Sequence, residues 1–328
     1  MLSNFVKILD IRSLIAIMRF TSLITFAASA LAAQQGFNYG ATYSDGTVKK
    51  QADFEGEFNS AKNLAGHSFT SARLYTMIQG DTQGVIEAIP AAISTGTSLL
   101  LGLWASAGQD QFSNEVTHLT NAINQYGSAF TDLVVGISVG SEDVYRTTDL
   151  GIASNAGAGA SPDTISSYVG QVRSAIAGTA LSGKPVGHVD TYNVWTNTTY
   201  TQGLINAVDF LGVDAYPYYE NTKANSIDNA QSIFFADLDA VNAISAGKQV
   251  WVTETGWPIS GPTENQAVAS VANAETYYKD VACQLFSENI NVWWFTLQDQ
   301  QPVAPSVVFG LAGAGSPPPT TPLYDVSC

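Results

Sequence analysis

Two glutamates in this sequence follow strand-like apolar runs, and acids in such positions can do chemistry. Residues 249–258 alternate in polarity up to Glu254 and are then stopped by a glycine and a proline. Glu142 follows a second run of this kind. Trp251 and Trp257 lie on either side of Glu254 and suggest a partner with flat apolar faces, such as a sugar ring. The competing interpretation of this stretch alone is a core strand with one exposed Glu.

The elements that would position these acids form a regular series. Segments with helical spacing, such as 164–177 behind a Ser-Pro cap and 268–286, lie between short apolar runs of strand type. Strands that alternate with helices predict parallel βαβ units, and eight such units predict a single-domain (β/α)8 barrel. An open doubly wound sheet is the alternative, but no G-x-G-x-x-G motif supports it. The predicted strands are residues 36–39, 68–75, 98–104, 133–139, 185–192, 210–216, 249–254 and 290–297.

In such a barrel, functional side chains lie where the strands end. Glu142 and Glu254 are the only glutamates at these ends, after the fourth and seventh strands. Two opposed carboxylates suit the cleavage of a glycosidic bond, because one protonates the leaving oxygen while the other acts at the anomeric carbon. A structural role would require cationic partners, and the chain has only 13 Lys and Arg. The acids and aromatic residues at these ends are Tyr39, Tyr75, Trp104, Glu142, Asp190, Tyr192, Asp214, Tyr216, Glu254, Trp257, Trp294 and Asp299.

Charge and composition narrow the range of partners. Charged residues make up only 12% of the chain, and the net charge is −15. Nucleic acid and anionic membranes both select for clustered Lys and Arg, so neither is expected to bind. A neutral substrate fits this balance better. Since no phosphate-binding loop or dinucleotide motif is present, we expect no cofactor.

Two further motifs do not support a function. Residues 136–140 match the G-x-S-x-G elbow of serine hydrolases around Ser138. That site needs a late histidine, and the only histidine after Ser138 is His188, so we interpret Ser138 as a strand residue. The three histidines have no H-E-x-x-H or C-x-x-C companions, which argues against a metal site. His188 is expected either in the core or at the cleft.

The N-terminal residues have the pattern of a secretory signal. An apolar run of small residues over positions 22–33 follows Arg19 and ends in an A-x-A motif. We therefore predict a signal over residues 1–33, with Met18 as an alternative start, and a barrel domain over residues 34–328. No later run of about 18 apolar residues is present, so no membrane span is expected after signal removal.

Export also bears on the cysteines and on glycosylation. Cys283 and Cys328 are the two cysteines of the chain, and we predict a disulfide between them, with two free thiols as the alternative. Asn197 begins the only N-x-S/T triplet and is a glycosylation candidate.

Several motifs resemble those of one enzyme family. The sequence VTETGWP at residues 252–258 is similar to a nucleophile segment, and VGSE at 139–142 is similar to an acid/base segment. DAYPY at 214–218 and NAETY at 273–277 also match. Together they resemble the family 17 glycoside hydrolases, β-1,3-glucan-active enzymes of plants and fungi. The likeness is to the fungal cell-wall branch of β-1,3-glucanosyltransferases and glucan endo-1,3-β-glucosidases, and it runs from about residue 36 to the C-terminus.

The resemblance implies a retaining mechanism with Glu254 as nucleophile and Glu142 as acid/base. Transfer of the cleaved fragment to an acceptor glucan is the first expectation, hydrolysis is the alternative, and a non-catalytic glucan-binding wall protein is less favoured. Tyr216 is the expected hydrogen-bond donor to Glu254, and Tyr192 and Trp195 are expected at the far rim. The expected substrate-binding residues are Tyr39, Tyr75, Ser141, Asp190, Tyr192, Asp214, Tyr216, Trp257, Trp294 and Asp299. Core packing is the alternative for Tyr39, Tyr75, Tyr192, Trp195, Trp257 and Trp294.

Two positions depart from the family pattern. Plant members carry Asn where Ser141 stands, and they commonly carry Asn where Asp214 stands. A Ser hydroxyl is shorter than an Asn amide and would reach a sugar hydroxyl only through a water molecule. We further expect a monomer that is secreted or held in the fungal cell wall, with β-1,3-glucan as its partner.

Overall fold

Eight parallel strands close into a barrel at the centre of the computed structural model, which describes residues 32–328. Each strand pairs with the next one along the chain, and the last strand pairs with the first. The predicted (β/α)8 barrel is therefore confirmed, and all eight predicted strands are present. The strands are β1 Gln35–Tyr39, β2 Ser71–Leu74, β3 Ser98–Leu103, β4 Val134–Ser141, β5 Val186–Thr191, β6 Phe210–Asp214, β7 Gln249–Glu254 and β8 Val292–Trp294.

Helices surround the barrel and connect its strands. α6 begins as predicted, because the Ser161 hydroxyl accepts the Thr164 N–H and proline occupies the first turn. The connection between β4 and α6 contains the short helix α5. The helices are α1 Gln51–Lys62, α2 Ala88–Thr95, α3 Gln109–Tyr126, α4 Ser128–Thr131, α5 Asp149–Ala153, α6 Pro162–Ile176, α7 Tyr192–Thr196, α8 Thr198–Ala207, α9 Ile227–Ile244, α10 Val271–Tyr277 and α11 Cys283–Ser287.

Shorter elements complete the connections. A π-helical turn, Tyr278–Ala282, joins α10 to α11, so the predicted helix over residues 268–286 is present in three pieces. Single 3₁₀ turns cover Tyr145–Thr147 and Pro217–Tyr219, both just beyond strand ends. After β2 the chain forms a small antiparallel pair, Ile78–Gln79 with Gly84–Val85.

Large rings fill the barrel interior on the N-terminal side of the site. Trp251 in β7 stacks on Phe210 with ring centroids 3.8 Å apart, and Trp293 and Leu100 complete the cluster. A glycine makes this possible, since a Cβ at Gly136 would lie 2.9 Å from the Trp251 ring. Trp251 is only 4% exposed, so the prediction that it faces a flat partner is wrong. Its ring supports the site from within the barrel.

The C-terminal segment is tied back onto the helices. Residues 33–328 form one compact unit, and Cys283 and Cys328 form the predicted disulfide, with an S–S distance of 2.08 Å. Asn197 is exposed between α7 and α8, and its glycosylation stays a prediction. Within residues 32–328 no helix is both long and apolar enough to cross a membrane. The predicted secretory signal and the alternative start at Met18 lie almost entirely outside the described residues.

Candidate active site

Glu254, the last residue of β7, is held by three hydrogen bonds from neighbouring strand ends. Its Oε1 accepts from Arg73 at 2.6 Å and from the Tyr75 hydroxyl at 2.7 Å. Its Oε2 accepts from the Tyr216 hydroxyl at 2.9 Å, which confirms the predicted donor. Burial, and after it the charge of Glu254, raises the pKa of Tyr75 and of Tyr216 well above the usual range, so both hydroxyls stay donors. A guanidinium and two phenols thus fix an ionised carboxylate in one orientation.

Arg73 in β2 connects both halves of the site, although it is not among the predicted residues. It is 1% exposed, and besides Glu254 it donates to the Asn38 Oδ1 at 2.8 Å and to the Ser141 hydroxyl at 2.9 Å. The argument that few cations are available to the glutamates is therefore wrong for Glu254. The sequence contains one signal that could have identified Arg73. It is the only charged residue in a strand of apolar and small residues, and a buried charge requires a partner of opposite charge.

Glu142 follows β4 and approaches the site from another part of the barrel mouth. Its φ of 55° lies in the left-handed region, which is uncommon for a residue other than glycine. Its side chain is 27% exposed, and the Arg146 guanidinium lies 3.7 Å from its Oε2. Burial, the charge of Glu254 and the charge of Asp190 raise the pKa of Glu142 to about 8 against the opposing effect of two arginines. Glu142 is therefore mostly protonated at neutral pH, as a general acid must be.

Asp190 does not reach the mouth of the barrel, which corrects the predicted substrate contact. Its side chain is fully buried. Both oxygens are engaged by protein donors, namely the backbone N–H groups of Val144, Tyr145 and Thr191 and the ring of His188. Of the two positions expected for His188, the structure shows the core.

Three predicted aromatic contacts also lie in the core. Trp257 is 1% exposed and donates its indole N–H to the Val268 carbonyl. Trp294 is equally buried. Successive strand residues face opposite sides, so Trp293 faces the barrel interior and Trp294 packs outward against Tyr278 of the helical layer. Trp195 is fully buried and donates to the Gly212 carbonyl. The prediction that these rings line the cleft or its rim is wrong for all three.

A cleft of about 820 Å³ lies over β8, β1 and β2, and Tyr75, which donates to Glu254, is one of its lining residues. Trp104 and Tyr219, which are 39% and 47% exposed, are the open aromatic faces along it. Tyr39 contributes to the wall but is mostly buried against Phe58. The predicted lining residues Tyr39, Tyr75 and Asp299 are thus at the cleft, together with Phe295 and Phe309, which are not among the predictions.

Asp299 shapes the loop after β8 as well as lining the cleft. Its carboxylate accepts the backbone N–H of Phe309 at 3.0 Å and that of Gly310 at 2.5 Å. These bonds hold one aromatic wall of the cleft in place.

Asp214, at the end of β6, is buried next to Glu254 rather than open to a substrate. It is 1% exposed and pairs in register with Glu254, and its Oδ1 accepts from the Thr253 hydroxyl at 2.6 Å. Within residues 32–328 its Oδ2 has no hydrogen-bond partner. Burial, and then the charge of Glu254, raises the pKa of Asp214 well above its usual range. The predicted direct substrate contact is therefore corrected.

The two remaining predicted contacts stay predictions. Ser141 ends β4 beside Glu142, and its hydroxyl is engaged by Arg73. Tyr192 is half-buried at the end of β5, where its hydroxyl donates to Glu220 at 2.8 Å and the Lys223 ammonium lies 4.9 Å from its ring centre.

Comparison with known proteins places this geometry in a family. The model of the BtgE/BtgC glycoside hydrolase domain matches residues 36–308. The chain is 56% identical over 316 residues to "Probable glucan endo-1,3-beta-glucosidase eglC" of Aspergillus fumigatus, covering 95% of this chain and 70% of that protein. It is 29% identical over 305 residues to "Glucan 1,3-beta-glucosidase" of Saccharomyces cerevisiae, covering 86% of this chain and 89% of that protein.

Solved structures of related enzymes have the same fold. The glycoside hydrolase family 17 β-1,3-glucanosyltransferase of Rhizomucor miehei has a TM-score of 0.68 at 27% identity, over 85% of this chain and 93% of that chain. The β-1,3-glucanase CJP38 of Cryptomeria japonica pollen shares the fold, with a TM-score of 0.65 at 16% identity over 90% of this chain and 99% of that chain. The chain belongs to the BtgE/BtgC glycoside hydrolase family, within the family 17 glycoside hydrolases.

Proposed function

We propose that this protein is a retaining β-1,3-glucan-active enzyme that cleaves a glucan and transfers the fragment to an acceptor glucan. The observation that carries the proposal is the pair of carboxyl groups in unlike surroundings: Glu254 accepts three hydrogen bonds, and the pKa of Glu142 is raised to about 8. The names of the relatives support the substrate, since they are β-1,3-glucan enzymes, and one related Rhizomucor structure holds laminaritriose.

In the first step, Glu254 attacks the anomeric carbon. A carboxylate oxygen offers about two lone-pair directions. Oε1 already accepts two hydrogen bonds, from Arg73 and Tyr75, whereas Oε2 accepts only the one from Tyr216. Oε2 is therefore the attacking atom. The new Oε2–carbon bond forms as the glycosidic carbon–oxygen bond breaks, and Glu142 gives its proton to the leaving oxygen.

In the second step, Glu142 acts as the base. Once Glu254 is an ester it no longer repels the charge on Glu142, so the pKa of Glu142 falls and its ionised form is favoured. Glu142 then takes a proton from an incoming hydroxyl group, whose oxygen bonds to the anomeric carbon while the ester bond breaks. A sugar hydroxyl gives transfer, and water gives hydrolysis.

Transfer is favoured by an aromatic face on the acid/base side. Trp104, 39% exposed, lies with its ring centre 5.8 Å from the guanidinium of Arg146, which in turn lies beside Glu142. An acceptor sugar stacked on Trp104 would compete with water for the intermediate. Hydrolysis is the second candidate, because the 56% identical relative is named as an endo-1,3-β-glucosidase.

Product sizing with a reduced laminari-oligosaccharide tests the proposal. Chains longer than the substrate mean transfer, only shorter chains mean hydrolysis, and an unchanged substrate would contradict catalysis and leave a binding protein. Glu254→Gln should form no product. Glu288→Gln, which changes an exposed glutamate on the surface beyond α11, is the matched control and should act like the unmodified protein.

We also propose that the protein is exported and acts at the fungal cell wall. The signal-like N-terminus and the Cys283–Cys328 disulfide support export. Sequencing the N-terminus of protein collected from the medium or the wall should give a start close to residues 33–35, and recovery only from cytosol would contradict it.

A further inference from the structure

A buried polar pair lies directly behind the turn that carries Glu142. His188 and Asp190 are both fully buried on β5, the strand next to β4. The His188 Nε2 is 3.0 Å from the Asp190 Oδ2. The reaction described above uses neither residue.

The hydrogen-bond partners of His188 define its protonation. Its Nδ1 lies 2.6 Å from the Val139 carbonyl, which can only accept, so Nδ1 carries a proton. Its Nε2 faces a carboxylate oxygen that already accepts the Val144 N–H at 2.9 Å. With an acceptor at each nitrogen, the ring fits an imidazolium that donates to the Val139 carbonyl and to the Asp190 side chain. Burial lowers the pKa of His188, but hydrogen bonding and the charges of Asp190 and Asp143 outweigh it and raise the pKa overall.

Asp190 also fixes the backbone that follows Glu142. Its two oxygens accept the consecutive N–H groups of Val144 and Tyr145 at 2.9 and 3.2 Å. The Glu142 N–H donates to the Val189 carbonyl of the same strand at 2.9 Å. A non-glycine residue at a φ of 55° is held by its surroundings rather than by its own preference, and β5 supplies those surroundings.

We propose that His188 and Asp190 are positioning residues for the acid/base, forming a buried ion pair that anchors the turn of residues 141–145. This inference rests on the proposed function, because it takes Glu142 as the proton donor. The charged groups that face Glu142 are Glu254 from β7, Asp190 from β5, Arg146 from its own turn and Arg73 from β2. Of these, Glu254 and Asp190 favour the protonated acid, and the two arginines oppose it.

Asp190→Asn tests the pair because it keeps the shape and removes the charge. Because His188 becomes neutral in this variant, the pair loses a negative and a positive charge together, so the alkaline limb of kcat/KM should stay in place. Misplacement of Glu142 should instead slow turnover of a laminari-oligosaccharide by on the order of tenfold. The loss should fall mainly on kcat. A dinitrophenyl β-laminaribioside, whose leaving group needs no proton, should be affected much less than a laminari-oligosaccharide.

Asp209→Asn is the matched control. Asp209 also pairs with a cation, Arg173, and also accepts a backbone N–H from β5, that of Val186, but at the opposite end of the strand. Both variants lose a carboxylate that accepts backbone N–H groups, yet only Asp190→Asn should slow the oligosaccharide more than the dinitrophenyl substrate. If the two variants behave alike, or if Asp190→Asn slows both substrates equally, the role is structural and the inference is overturned.

Nitrogen NMR of His188 provides a test independent of activity. The chain contains three histidines, so a histidine-labelled sample gives a simple spectrum. His188 should show two protonated ring nitrogens at pH 7.5, and the signal should become that of a neutral ring in Asp190→Asn. A neutral His188 in the unmodified protein at pH 7 would overturn the inference. Inactivity of the unmodified enzyme on glucan would instead overturn the proposed function.

Discussion

Replacement of Glu142 by glutamine removes the proposed proton donor while keeping the size of the side chain. Loss of a general acid typically costs 10²–10⁴-fold in rate. We expect a loss of about this size for Glu142→Gln on laminari-oligosaccharides at pH 6. Two features of the site support the upper part of this range, namely the burial of Glu142 and the charge of Glu254 beside it, which both favour the protonated form.

The pH dependence follows from the same environment. Burial and the charges of Glu254 and Asp190 raise the pKa of Glu142 to about 8, so it is protonated at pH 6, half protonated at pH 8 and about one tenth protonated at pH 9. The protonated form is active in the first step. Activity of the free enzyme should therefore fall tenfold for each pH unit above about 8, and Glu142→Gln should lose this limb.

The assay compares two leaving groups across pH 5 to 10. With a dinitrophenyl β-laminaribioside the first step needs no proton, so Glu142→Gln should release dinitrophenol rapidly, and added azide should speed turnover by replacing the base-assisted second step. The reasoning would be refuted if Glu142→Gln kept full activity on the oligosaccharide, or if the dinitrophenyl substrate were slowed as much as the oligosaccharide.

Three other changes have expected outcomes. Arg73→Met leaves the Glu254 charge buried without its cation and should lower the free energy of unfolding by about 3–5 kcal/mol in denaturant titrations, with loss of activity; unchanged stability would count against the pair. Cys328→Ser opens a loop of 45 residues and should cost about 4 kcal/mol in the same titration, with kcat/KM retained. Gly136→Ala places a Cβ 2.9 Å from the Trp251 ring and should cost about 1–3 kcal/mol; an unaltered melting temperature would contradict the close packing of the barrel interior.

The barrel could be predicted from the sequence because its signals are local and repeated. Each strand is a short apolar run bounded by turn residues, and the series of eight agrees with the strands observed. Because all eight strands are parallel, their C-terminal ends lie at the same end of the barrel. The positions of Glu142 after the fourth strand and Glu254 at the end of the seventh therefore predict that both lie at that end. The disulfide could be predicted from the presence of two cysteines in a chain whose N-terminus has the pattern of a secretory signal.

The chemical surroundings of the acids were harder to predict. Arg73 lies 181 positions before Glu254, and only closure of the barrel brings the two within 2.6 Å. Asp190 stands at a strand end like the true mouth residues, yet its carboxylate turns toward the backbone of the Glu142 turn. Acids that reach the barrel mouth and acids that are buried, such as Asp190, are the same residue types at the same positions in their strands. Only the hydrogen-bond donors that surround each one distinguish them.

The exposure of the aromatic residues was also hard to predict from the sequence. Trp251 and Trp294 pack in the core because neighbouring strand residues face alternate sides of the barrel wall, and large rings fill space on each side. Trp257 lies beyond the end of β7 and packs against Tyr218 and Tyr277. The exposed rings of the cleft include Trp104 and Tyr219, which belong to connections after β3 and β6. Loop conformation decides their exposure, and no periodic pattern in the sequence encodes it.

The central claim, that Glu254 is the nucleophile of a retaining glucan enzyme, is tested most directly by trapping the intermediate. Incubation with 2-deoxy-2-fluoro-β-laminaribiosyl fluoride, digestion and mass spectrometry should locate one covalently bound disaccharide on Glu254, and proton NMR of the first product from the natural substrate should show the β-anomer. A label on any other residue, or an α-anomer as first product, would contradict the account.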